Sequence, residues 1–244
     1  MKFRLVLLAA LCVGVGNGVA SAGETDLPVD LFAAMDRVEI DVKFIPKNEK
    51  HANVLITNKT KEVLQIRLPN SFAASPILAQ LGPLAGGPGG GGAGGGQSVG
   101  GGMNAGGGAQ PGGIGLGGFM RVAPQKTRKL TAVTVCLEHG KPNPNPKMAY
   151  KIMPTTQYTQ DERIVRMCEQ LAAGEVNQKV AQAAAWHLAN NLSWTKLRQV
   201  NQLQSRYLGN VPFFSRSDLE RAKELIPRLG PANKTPSKSY VATQ

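Results

Sequence analysis

The chain has 244 residues, 42% of them hydrophobic and 18% charged, which is enough apolar content for one large or two small packed domains. Its 28 Lys and Arg outnumber 16 Asp and Glu, for a formal net charge of +12. That charge is spread along the chain rather than gathered into Lys/Arg runs interleaved with aromatics. It therefore speaks against a specific nucleic-acid surface and for general attraction to anionic envelope polymers or lipid headgroups.

The first 22 residues follow the plan of a secretory signal peptide. Lys2 and Arg4 form a basic start, an uncharged apolar run spans 5–15, and Ala20-Ser21-Ala22 fits a cleavage site before Gly23. The apolar run is about half of the ~20 residues a membrane-spanning helix needs. Cys12 follows Leu11 rather than the small residue a lipobox places there. The sequence thus predicts a secreted or periplasmic, envelope-associated protein, with no transmembrane segment after cleavage. Residues 23–35 form an N-terminal lead.

Residues 36–152 have strand character. Val38, Ile40, Val42 and Phe44 alternate with charged residues, the period-2 pattern of a half-buried strand. Strands over 52–57 and 63–68, joined by the polar turn 58–61, read as a hairpin. Further strands are predicted near Phe119, over 129–137 and over 148–152. Pro142, Pro144 and Pro146 make a stiff extended connector. Twenty-one of the 29 glycines fall between Gly82 and Gly118. That stretch offers too little apolar surface to offset its ordering entropy, so 82–118 reads as a disordered Gly-rich insertion. The fold expected is α+β: an immunoglobulin-like antiparallel β-sandwich carrying this insertion, followed by a small α-helical bundle.

The bundle is expected over 153–229. Thr159 with Glu162 fits a capping box, Ile164, Cys168 and Leu171 line one face, and Gly174 suits a stop. An alanine-rich helix follows over 176–190, a third over 193–209, and a fourth opens at Ser217 and stops before Pro227. Residues 230–244 read as a disordered tail.

Loss of Cys12 with the signal would leave Cys136 and Cys168, in a compartment that permits disulfides. A bond between them would tie the strand domain to the first helix, worth on the order of 3 kcal/mol by loop entropy. Two buried free thiols are the alternative. A thiol enzyme using Cys136 or Cys168 with His139 or His187 is a rival reading.

Other matches lack the context their chemistry requires. The G-x-G-x-x-G from Gly113 to Gly118 has no flanking strand and helix, and the G-x-S-x-G around Ser98 lies in a glycine tract. His51, His139 and His187 are far apart, and no common zinc spacing occurs. No cofactor or metal is expected. Asn58, Asn191 and Asn233 begin glycosylation-type triplets. Gln182, Trp186 and His187 are the most distinctive local group, either an interaction patch or core anchors of a closely packed helix.

The run from Val135 to Pro142, with 181–190 and Ser193-Trp194, resembles a group of uncharacterised exported proteins of planctomycete bacteria. The resemblance spans roughly 36–226. It implies export and transfers no catalytic residue. The functional expectation is a non-enzymatic envelope or periplasmic protein that binds another protein or an envelope polymer. The alternatives are the thiol enzyme and a weak polyanion-binding protein.

Overall fold

The computed structural model describes residues 27–77, 96–104, 118–205 and 209–231. The signal-like segment, most of the glycine-rich stretch and the C-terminal tail lie outside the described residues. The elements run β1 (Val29–Asp30), α1 (Leu31–Asp36), β2 (Ile40–Pro46), β3 (His51–Asn58), β4 (Leu64–Arg67), β5 (Phe72–Pro76), β6 (Val99–Asn104), β7 (Phe119–Val122), β8 (Thr127–Cys136) and β9 (Tyr150–Met153). Then follow α2 (Thr155–Tyr158), α3 (Glu162–Ala173), α4 (Gln178–Asn190), α5 (Trp194–Gln199), β10 (Asn201–Ser205), β11 (Gly209–Pro212) and α6 (Arg216–Arg228).

The strands do not form the expected sandwich. Six of them close into an antiparallel barrel in the order β2-β3-β8-β6-β5-β9, with Phe44 of β2 paired to Tyr150 of β9. A small second sheet, β1-β4-β7, stands beside it. The immunoglobulin-like reading fails because it missed two strands. Phe72–Pro76 is alanine-rich, and Val99–Asn104 lies inside the glycine stretch expected to be disordered. With both strands present, the sheet has the members it needs to meet itself.

The expected hairpin of β3 and β4 does not form either. β3 pairs with β2 and β8, while β4 pairs with β1 and β7. Asn58 redirects the chain. Its side chain is buried, donates to the carbonyls of Glu62 and Val122, and accepts from the N–H and hydroxyl of Thr60. The first glycosylation-type triplet is therefore an internal turn anchor.

Alternation sets the two faces of the barrel wall. Phe44, Val54, Ile56, Phe72, Ala74, Val99, Ala132, Cys136, Tyr150 and Ile152 are buried and share the inner face. Phe44 packs against Phe72 and Tyr150, each at 5.6 Å between ring centroids. A six-stranded barrel is narrower than the eight-stranded kind whose interior side chains just fill, so this one has a solid core.

The outer face of β6 explains its glycines. Helix α3 lies on it, and a Cβ on Gly100 would come within 2.9 Å of Cys168 Sγ and 3.2 Å of Leu137 Cδ1. A Cβ on Gly102 would overlap the Cβ of Ala172. The same apolar core continues from the barrel through α3, α4 and α6, so the helices pack on the barrel and each other rather than as a separate bundle.

Helix ends follow the expected chemistry at shifted positions. α3 is capped by Asp161 and stopped by Gly174 in the left-handed region, and α6 opens on a capping box of Ser215 with Asp218. The third helix is short. It ends at Gln199, and the β10–β11 hairpin replaces its expected remainder.

Gly102→Ala should destabilise the fold by about 1–3 kcal/mol through overpacking against α3. Adding Ala172→Gly should recover part of that loss. Urea denaturation of both single variants and the double variant measures it, and additivity within ~0.5 kcal/mol would show that the two positions do not oppose each other.

Candidate functional site

The cysteines do not meet as a bridge. Both are free, buried thiols. Cys136 is on the inner face of β8, whereas Cys168 stands on α3, outside the wall, against Gly100 of β6. The expected strand-to-helix disulfide is corrected on this ground: the barrel wall separates the two side chains. Burial pushes each thiol up to about 12, with a smaller contribution from Glu49 at Cys136 and from Glu169 at Cys168. Such thiols lack the thiolate that nucleophilic chemistry needs. Both expected histidines pack on tryptophans. His139 packs edge-on against Trp186 at 4.6 Å, while His187 stacks on Trp194 at 4.3 Å and its Nδ1 lies 2.8 Å from the carbonyl oxygen of Leu192.

Gln182, Trp186 and His187 do not form a surface patch. Gln182 is 0% exposed and completes the edge of β8. Strand β3 begins at His51, opposite Val133, and leaves the last residues of β8 without a strand partner on that side. The Gln182 amide supplies one. It donates to the Cys136 carbonyl at 2.9 Å and accepts from the Cys136 N–H at 2.8 Å. One turn earlier, Gln178 donates to the Thr134 carbonyl, and further along α4 Asn190 accepts from the His139 N–H. Trp186, between them on the helix, is buried against Phe213 and Phe214 at 5.2 and 5.6 Å. His187 faces Trp194 instead.

A polar cluster gathers beside the start of β6. Glu138 accepts from the Ser98 N–H at 2.8 Å and from Lys141 Nζ at 2.5 Å, and the Ser98 and Ser75 hydroxyls lie 3.2 Å apart. Burial pushes the Glu138 carboxyl up, but hydrogen bonds from Lys141 and Ser98 outweigh it and leave the group below its ordinary value. A carboxylate held anionic in this way is a weak base for Ser98, which is itself buried. The G-x-S-x-G match is thus a lead into β6, not a strand-to-helix elbow. Its counterpart at 113–118 lies outside the described residues, apart from Gly118. No group of three or more His, Cys, Asp or Glu among the described residues is placed to hold a metal ion.

A concave surface of a different character lies elsewhere. Arg198, Pro212, Phe214, Ser215, Arg216 and Leu219 line a groove of about 650 Å³ between the end of α5, the base of the hairpin and the start of α6. Its floor is apolar, since Phe214 and Leu219 are buried. Its flanks are cationic, and neither Arg198 nor Arg216 forms an ion pair among the described residues. The Phe213–Phe214 pair anchors this corner: Lys179 Nζ donates to the Phe213 carbonyl at 2.8 Å and sits 3.5 Å from the Phe213 ring centroid. Burial, with Lys50 nearby, lowers the Lys179 ammonium.

Beside the groove the hairpin stands exposed. Leu203 and Val211 face each other across its two strands and are 48% and 39% exposed. Sequence reading missed this site because it continued the third helix to Gly209. Val200 and Leu203 are spaced three apart, as on a helix, so the local pattern gave no signal for the strand.

Two outcomes follow. In a chain starting at Gly23, at about pH 8, a disulfide-exchange reagent should label neither thiol while the protein is folded, and both once it is unfolded in urea; fast labelling of the folded protein would contradict their burial. Gln182→Met keeps the volume but strands two buried backbone groups, and should lower stability by roughly 2–4 kcal/mol in urea melts. Comparison of the chain with protein families, curated proteins and solved structures returned no match, so its own geometry carries the functional reading.

Proposed function

We propose that this chain is a non-enzymatic binding protein of the cell envelope, exported behind residues 1–22, which engages another protein or an envelope polymer through the groove at α5, the hairpin and α6. The observation that carries this reading is the pairing of an apolar floor with two arginines that have no carboxylate partner among the described residues. A surface of this kind gains by burying apolar area and by neutralising charge at the same time. The deep burial of both thiols weighs against the thiol-enzyme alternative. Export itself rests on the signal-like pattern of the first residues.

The polyanion alternative draws on the same arginines and on the net charge of +12. Salt separates the two. Attraction governed by counterion release falls steeply with ionic strength, whereas a contact with an apolar floor keeps much of its strength.

The immobilised chain from Gly23 should retain a component of cell-envelope extracts at physiological salt, and Arg198→Ala with Arg216→Ala should reduce that retention about fivefold or more. Retention that vanishes with modest added salt would favour the polyanion alternative. No retention from any envelope fraction would sink the binding reading.

A further inference from the structure

We infer that the groove and the β10–β11 hairpin together form a receiving edge for an extended peptide that is apolar along one face and acidic at one end. The inference rests on the binding reading and names the chemistry of the occupant. Three features select a peptide over other anionic chains. Among the described residues β10 and β11 pair only with each other, so each has an outer edge whose backbone groups can pair with another extended backbone. Leu203 and Val211 sit directly opposite one another and exposed, so the same hairpin presents an apolar pair to alternate side chains of an added strand. Arg198 and Arg216 flank the groove at the hairpin's base, where carboxylates at the end of such a peptide would meet them.

No single one of these features is enough. Arginines alone would accept any polyanion. The start of α6 adds little, because its capping box already takes the Ser215 and Asp218 N–H groups. Exposed Leu203 and Val211 alone would accept any apolar surface. A polyphosphate or acidic polysaccharide supplies charge but lacks the regular N–H and C=O ladder that the edge needs. A peptide alternating apolar and small polar residues, with two carboxylates at one end, meets all three together. The hairpin is also the kind of element that gains most from a third strand, since a lone two-stranded hairpin is marginal in water.

The test is fluorescence anisotropy with the chain from Gly23. The probe is a labelled ten-residue peptide of alternating Val and Thr that ends in two Asp. Three controls accompany it: the same peptide ending in two Lys, a version N-methylated at alternate residues, and labelled polyglutamate. Saturable binding of the probe is expected, at least tenfold weaker for the Lys-ended and N-methylated peptides. Arg198→Ala with Arg216→Ala should weaken it about tenfold, and so should Leu203→Thr with Val211→Thr. These side chains are exposed, so the variants should keep the parent's circular dichroism; if one does not, chemical-shift changes at the hairpin of the parent chain on adding the probe locate the binding instead, and their absence would reject the proposal. Equal binding of polyglutamate, or binding indifferent to both pairs of substitutions, would overturn the proposal in favour of simple charge. So would concentration-dependent dimerisation lost on Leu203→Thr with Val211→Thr, which would make a second copy the occupant. Retention of an envelope component without probe binding would reject the peptide and leave the binding reading standing.

Discussion

Closure of the barrel depends on a strand that is half glycine. β6 bridges β5 and β8, and without it the wall would stay open between them. Its outward positions at Gly100 and Gly102 are glycine because α3 lies so close that a methyl group would meet Cys168 at one and overlap Ala172 at the other. Glycine in a strand is ordinarily a weakness, costing entropy and contributing no packing. Here the loss is offset by close approach of a helix, which brings Ile164, Met167, Cys168 and Leu171 into one buried core with the barrel. Val99 and Met103 give the strand its own apolar contacts.

A second constraint acts at the far edge of β8. That strand outruns β3, and a buried strand edge needs hydrogen-bond partners. Gln178, Gln182 and Asn190 provide them along one stripe of α4. The stripe fixes where α4 sits, and α4 in turn places Trp186 against Phe213 and Phe214. Those two phenylalanines lie between the hairpin and α6. The groove is therefore positioned through a continuous chain of contacts that begins at the edge of the barrel. Its arginines, exposed and outside any ion pair among the described residues, are not needed to hold the local structure, which buried aromatics and amides hold instead.

The division of labour has a functional side. Several groups that might have carried chemistry are engaged internally: the thiols in dry packing, Glu138 in a bond to Lys141, His139 and His187 against tryptophans. Among the described residues, the corner beside the hairpin is cationic and partly apolar, with its two arginines outside any ion pair. That combination is what supports the proposed binding role.

Periodic segments were legible from the residues alone. The alternation of Ile40, Val42 and Phe44, the strands through Val54 and Val135, and the capped amphipathic helix ended by Gly174 all follow from local patterns that depend on a few neighbouring residues, whereas Val38, expected on the same buried face, stands outside β2, exposed and at a φ of 59°. The sequence by itself also determined that strands precede the main helices. Tertiary structure decided the rest. Phe72–Pro76 and Val99–Asn104 have little strand propensity, and only their fit between neighbouring strands and under α3 makes them strands. The separation of the two thiols, the burial of Gln182 and the meeting of Arg198 with Arg216 at one groove likewise depend on pairings between residues far apart in the chain. Local periodicity reports which way a side chain points, whereas what it meets there is set by the closure of the barrel.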